Sequence, residues 1–121
     1  MWTVIGTDEF DEWYQGLTEE QQGAVDARVD ILENTGPTLG RPTVDSIAAS
    51  RHHNLKELRC SKDGVLRVLF IFDPLRQAVL LLGGDKAEGS KWNHWYSTAV
   101  PRAEALYDEY LDELREEGLI P

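Results

Sequence analysis

Residues 54–86, NLKELRCSKDGVLRVLFIFDPLRQAVLLLGGDK, hold three runs of strand character separated by two short turns. Val65 to Phe72 is almost entirely β-branched, aliphatic or aromatic, the composition of a pleated, buried strand. Gln77 to Leu82 is a second apolar run, reached through Asp73-Pro74-Leu75-Arg76. Pro there presets φ, and the Asp side chain can bond the backbone beyond it. Leu55 to Cys60 is the third run, joined to the central one by Ser61-Lys62-Asp63-Gly64, where Asp-Gly marks a tight reversal. The simplest product is an antiparallel meander with the long run in the middle. A strand buried on both faces reads as continuously apolar, so Arg67, the one charge inside that run, is the anomaly.

Outside this stretch the chain reads as helices around the sheet. Trp2 to Ile5 is a short strand expected at an edge or beside a meander edge. Thr7 or Asp8 caps a helix whose Phe10, Trp13, Tyr14 and Leu17 follow i, i+3, i+4, i+7 spacing. Thr18-Glu19-Glu20-Gln21 is a capping box opening a second helix, which Gly36-Pro37 stops near Asn34. Residues 37–53 read as a loop with a short turn at 44–49. Ala87 to Asn93 is a polar loop. A last helix is expected from about Thr98 to Glu117, with Pro101 tolerable only in its first turn. The expected order is β-α-α-β-β-β-α, an α+β class with helices packed on one antiparallel sheet.

With 121 residues the chain is read as a single domain, 1–121. No apolar run approaches the ~18 residues of a membrane span. The N-terminus lacks the basic flank and apolar core of a signal peptide. Cys60 is alone, which rules out an internal disulfide and a Cys-based zinc site. A cytoplasmic protein is the expectation. The formal net charge is −10, but it is unevenly spread. Residues 41–102 hold ten Lys/Arg against six Asp/Glu and all three His. The basic excess therefore coincides with the sheet, and local charge steers a polyanion more than the total does.

No P-loop, GxGxxG, HExxH or GxSxG is present, so no cofactor is called for. His52 and His53 are adjacent and would face opposite ways on a strand, so they cannot chelate one metal together. Alternation puts Leu55, Glu57 and Arg59 on one side of their run and Lys56, Leu58 and Cys60 on the other. If Leu58 and Cys60 are core, Glu57 and Arg59 face away from the helix layer. Arg67 shares its face with Val65, Leu69 and Ile71, so Arg59 and Arg67 can lie together, with Lys86 at the rim. Two explanations of these bases stand side by side. One is a structural ion pair, with Glu57 the obvious partner; the other is an anion site. Trp92, Trp95 and Tyr96 either anchor the last helix or offer a base-stacking surface.

The order of elements, the run Asn54-Leu55-Lys56-Glu57-Leu58-Arg59, the strand Leu66-Arg67-Val68-Leu69-Phe70 and the later Lys86 resemble toxins of type II toxin–antitoxin modules. The match is to the HigB-like, phage Gp49-related branch of the RelE/ParE superfamily, over nearly the whole chain. This resemblance implies a small RelE-like α+β toxin that enters the ribosomal A site and cleaves mRNA. It also implies neutralisation by a HigA-like helix-turn-helix antitoxin, with DNA met only through that antitoxin, and no membrane partner. Arg67 matches the strand arginine typical of the active site; Arg59 and Lys86 match further basic positions around it.

Metal-independent RNA cleavage of this kind has the ribose 2′-OH attack the adjacent phosphate, leaving a 2′,3′-cyclic phosphate. Guanidinium forks stabilise the extra negative charge of the transition state. A base takes the 2′ proton and an acid supplies the leaving 5′ oxygen, roles open to Lys86 or His94. On this reading Arg67, Arg59, Lys86 and His94 are the candidate catalytic residues. Lys56, Arg41, Lys91, Trp92 and Tyr96 are the candidate RNA contacts. The resemblance leaves two alternatives: a ParE-like inhibitor of DNA gyrase, or a catalytically weak relative kept as an antitoxin-binding partner.

Overall fold

The computed structural model describes residues 1–87 and 94–121. Strand β1 (Val4–Gly6) leads into α1 (Asp8–Gln15) and α2 (Glu19–Thr35), closed by a single 3-10 turn at Gly36–Thr38. Four strands follow, β2 (Val44–Ser46), β3 (Lys56–Arg59), β4 (Leu66–Phe72) and β5 (Ala78–Asp85), before α3 (His94–Glu116). Among the described residues the strands form one sheet in the order β1-β5-β4-β3-β2. The meander β3-β4-β5 is antiparallel, as its turns require, and β2 adds to β3 antiparallel. β1 pairs parallel with β5, which makes it the partner of a meander edge.

The caps are where side-chain chemistry puts them. Thr7 accepts the Phe10 N–H at 3.1 Å and donates to the Leu81 carbonyl at 2.7 Å, so one hydroxyl both starts α1 and ties it to β5. Thr18 and Gln21 form the reciprocal capping box of α2. Gly36 ends α2 with φ of 72°, and a Cβ there would lie 2.2 Å from the Trp2 indole nitrogen. Only glycine meets both demands.

Helices cover both faces of the sheet, which corrects the expectation that Glu57 and Arg59 face away from the helix layer. On one face Leu58, Cys60, Leu66, Val68, Phe70, Ala78 and Leu80 pack with Phe10, Val25 and Leu32 of α1 and α2. On the other, Leu55, Leu69, Ile71, Val79 and Leu81 pack with Ala99, Val100, Ala103, Leu106 and Tyr107 of α3. β4 is buried from Leu66 through Ile71, Arg67 included. No described helix is long and apolar enough to cross a membrane.

Three local differences from the sequence reading bear on function. Residues 44–46 are a strand rather than a turn, so Asp45 comes opposite Glu57. β5 does not end at Leu82 but runs through Gly83 and Gly84, with a register shift that leaves Leu81 unmatched between the pairs Leu69↔Leu82 and Phe70↔Leu80. Such a bulge inverts the alternation beyond it. Gly83 consequently turns to the α1 face and Gly84 to the α3 face, where added Cβ atoms would meet Trp13 at 2.1 Å and Trp95 at 2.3 Å. Finally, α3 starts at His94, four residues before the expected Thr98, so Pro101 lies in the helix interior instead of its first turn. Pro101 has no N–H, so the Ser97 carbonyl loses its helical donor.

Candidate active site

The α3 face of the sheet is apolar at one end and charged at the other. Alternation along β3 and β4 lays down two adjacent cross-strand rows. One is Asp45–Glu57–Leu69–Leu82 and the next is Arg59–Arg67–Gly84. Two arginines thus stand directly opposite each other, a pairing that is destabilising unless an anion sits between them. Glu57 is that anion.

Glu57 is buried, and its carboxylate is fully engaged. Oε2 accepts from Arg59 Nε at 3.1 Å and pairs with Arg59 Nη2 at 3.1 Å. Oε1 accepts the Tyr96 hydroxyl, contributed by the first turn of α3, in a short hydrogen bond. Arg67 Nε lies 3.8 Å from the same oxygen, beyond hydrogen-bond reach. The Arg67 side chain is 9% exposed. Its Nη1 donates to the Leu66 carbonyl at 2.9 Å and to Ser61 Oγ at 3.3 Å, while its buried Nε has no hydrogen-bond partner. A buried unused donor is costly, and here it belongs to a cation on the face that carries the site. Asp45 extends the network outward, accepting from Arg59 Nη2 at 3.1 Å and Arg41 Nη2 at 2.9 Å. Lys86 closes it from β5's end, its ammonium 5.5 Å from the centre of the Tyr96 ring. Among the described residues the cluster counts four cations and two carboxylates.

Burial and charge shift the titrating groups in consistent directions. The Lys86 ammonium is disfavoured, first by desolvation and then by the Arg67 charge, with Glu57 opposing, so its pKa falls below the ordinary lysine value. Tyr96 is pushed up to about 12, chiefly by burial and then by its hydrogen bond to Glu57, and stays a neutral donor. Cys60 is pushed up to about 12 by burial, so the one thiol is inert at neutral pH.

Arg59, Arg67, Lys86, Tyr96 and Arg41 of the expected site residues are thereby brought into one network. Lys56 is not. It projects from the opposite face, donating to the Pro37 carbonyl at 3.1 Å and lying 5.8 Å from the Phe72 ring centre. His94 opens α3 and is exposed. Lys91 and Trp92 lie outside the described residues. Of the two readings of the late aromatics, Trp95 and Tyr96 are helix residues that dock α3 onto the sheet. His52, without an assigned task in the sequence, pairs with Asp108 at 2.9 Å and edges onto Tyr107. Sequence reasoning missed Asp45, which carries no signal while 44–46 is read as a turn. It also missed the seat of Trp95 on Gly84, for which a Gly-Gly pair inside an apolar run was the available sign of close approach.

Comparison with known proteins places this architecture. Residues 12–108 match the family described as phage derived protein Gp49-like (DUF891). The chain is 44% identical over 108 residues to a Mycobacterium tuberculosis protein named "Putative toxin HigB3", covering 89% of this chain and 92% of that one. It is 38% identical over 117 residues to "Putative toxin HigB2" of the same organism, covering 95% of this chain but 57% of that longer relative. The fold is that of RelE in the archaeal RelE-RelB complex from Pyrococcus horikoshii, with TM-score 0.54 and 16% identity over 73% of this chain and 98% of that one. The chain belongs to the Gp49-like family, as a HigB-type toxin.

Proposed function

We propose that the protein is the toxin of a type II toxin–antitoxin module and acts as a metal-independent endoribonuclease on ribosome-bound mRNA. A HigA-like helix-turn-helix antitoxin neutralises it, and DNA is met only through that antitoxin. What supports the reading is the gathering of Arg59, Arg67 and Lys86 on one sheet face around a buried carboxylate. In this reading Arg59, one third exposed, and Lys86 meet the scissile phosphate. Arg67 lies beneath and supplies positive potential and its unused Nε–H in a site screened from water. Lys86, its ammonium already disfavoured, exchanges the proton of the 2′-OH or the leaving oxygen, and His94 serves the other step. Arg41 and Tyr96 lie along the path of the flanking nucleotides, and Lys91 and Trp92, outside the described residues, keep from the sequence alone the role of further RNA contacts.

One observation favours a second reading. Glu57 already satisfies Arg59 and neutralises Arg67, as an ion pair of a catalytically weak, antitoxin-binding relative would. Induction of the protein alone, followed by primer extension on cellular transcripts, separates the two. Codon-phased 5′ ends inside coding regions are expected. Intact mRNA overturns cleavage. Intact mRNA with an induced DNA-damage response assigns gyrase as the target, and intact mRNA with antitoxin capture retained assigns the weak-relative reading.

A further inference from the structure

The two edges of the sheet are finished differently. Along β2 the chain closes its own outward groups. Val44 N–H donates to the Gly40 carbonyl at 3.0 Å, and Ser46 N–H donates to the Asp45 carboxylate at 2.9 Å. β1 has no such cover. The Thr3 carbonyl accepts the Ala78 N–H at 2.9 Å and the Thr7 N–H reaches the Leu80 carbonyl at 3.0 Å, so Thr3, Ile5 and Thr7 face β5. Val4 and Gly6 therefore turn their N–H and C=O groups outward, and among the described residues nothing bonds them. An open row of backbone groups is a template for another strand.

This edge runs between two grooves that share Ile5 and Gly6. The groove on the α1 and α2 side, of about 450 Å³, is largely apolar through Val4, Phe10, Val25 and Val29. Of its two acids, Asp11 sits beside Gly6, and Asp26 already accepts the Tyr14 hydroxyl at 2.7 Å. The groove on the α3 side, of about 280 Å³, holds Asp8, Glu9, Glu109 and Glu113, and no base lines it among the described residues. Arg102 approaches only Glu9, at 3.7 Å. Side chains of a strand alternate between faces. A segment laid along β1 would thus point every second residue at carboxylates and the others at the apolar groove.

We infer that β1 takes up an extended segment of a partner protein by strand addition, one that alternates Lys or Arg with aliphatic residues. Main-chain bonds to Val4 and Gly6 hold it, and the two grooves read its alternate side chains. A second copy fits poorly. Adding antiparallel through its own β1, it would set two acidic grooves side by side on one face of a chain whose net charge is −10. β1 pairs with the start of β5, whereas Lys86 follows its end, so the bound segment leaves the Arg59–Arg67–Lys86 cluster uncovered. The inference stands apart from RNA cleavage.

The test uses the full-length protein and a short blocked peptide alternating lysine with valine, followed by backbone amide shifts and hydrogen exchange. Exchange at Val4 and Gly6 should slow while the amides of Arg59 and Arg67 keep their shifts. Methylating the peptide nitrogens that face β1 should weaken binding about tenfold, the worth of one or two hydrogen bonds; methylating the alternate nitrogens should not. Glutamate in place of the peptide's lysines, or Glu109→Lys with Glu113→Lys at exposed positions of α3, should each weaken binding about tenfold or more by like-charge contact. The two changes together should restore it. Binding indifferent to which nitrogens are methylated overturns strand addition. Shifts confined to the cavity between residues 46–49 and the first turns of α3, beside the arginine pair, overturn β1 as the site. No shift at Val4 or Gly6 up to the peptide's solubility limit does the same. Slowed exchange at Val4 and Gly6 in a dimer without peptide gives the edge to a second copy and overturns the basic partner.

Discussion

The two faces of the sheet are built from the same strands and have different contents. The face under α1 and α2 is apolar from Leu58 to Leu80. The face under α3 is apolar only beneath the middle of that helix, where Leu69, Ile71 and Val79 meet Ala103 and Leu106. Toward the start of α3 the same alternating positions become Glu57, Arg59 and Arg67. A helical hairpin can close its whole face, whereas one helix crossing a five-stranded sheet leaves a corner. The charged network lies at that corner, shielded by Tyr96 and Trp95 yet within reach of solvent through Arg59 and Lys86. One face stores stability and the other holds charge close to its own cover.

The largest effect should come from the closed face. Phe70 is fully buried between the strands and α1/α2, and Phe70→Ala should cost ~3–5 kcal/mol by lost burial and a cavity. Chemical denaturation would measure it; a loss below ~1 kcal/mol would mean that this face is not the dry core described.

Arg67→Met tests the other face, keeping apolar bulk and removing the charge. Glu57 retains Arg59 and Tyr96, so the melting temperature should change little, since replacing a buried ion with well-packed bulk is often near neutral. Growth arrest should fall ~10²-fold or more, as for loss of one preorganised charge donor. Full arrest at normal stability would leave Arg67 as a structural ion only. Collapse of the fold together with arrest would favour the ion-pair explanation.

The glycine pair sharpens the contrast because neighbouring residues report on opposite faces. Gly83→Ala pushes on Trp13, and Gly84→Ala pushes on Trp95. Each should cost ~1–3 kcal/mol by overpacking. Only Gly84→Ala should lower activity beyond its stability loss, because Trp95 neighbours Tyr96 on the turn that covers the charges. Parallel melts and toxicity assays on the two variants check this; equal activity losses would refute the division of labour.

The smallest effect is a pH dependence. Tyr96 titrates near 12 in the fold against about 10 when unfolded. A group raised by folding contributes stability that is present below pH ~10 and lost as pH rises toward 12. Tyr96→Phe should therefore cost ~1 kcal/mol at pH 7, the worth of an ordinary hydrogen bond, and should flatten the alkaline loss above pH 10. Tyr110, raised by burial and by its hydrogen bond to Asp73, keeps part of that slope. Denaturant midpoints from pH 8 to 11 in both proteins measure the difference.

Most of the fold is legible in the chain because its signals are local. Hydrophobic alternation, the Asp-Gly and Asp-Pro turns, the Thr18–Gln21 box and Gly36-Pro37 each act within a few residues, and each holds in three dimensions. The same alternation puts Arg59 and Arg67 on one face without reference to any distant segment. Composition and periodicity do not report what requires two remote stretches to meet. Val44–Ser46 is too short to declare itself a strand until β3 offers its edge. The bulge at Leu81 depends on register against β4, and through it the aim of Gly84. The first described turn of α3 is helical rather than loop because Trp95 finds Gly84 and the Tyr96 hydroxyl finds Glu57, partners 11 and 39 residues away in the chain. Strands, helix caps and the face that carries the charges therefore follow from neighbouring residues alone. That Glu57 holds the two arginines together, that Lys56 stands apart from them, and that a cavity opens beside the pair follow only from the closed layers, because burial and charge pairing do not exist until those layers meet.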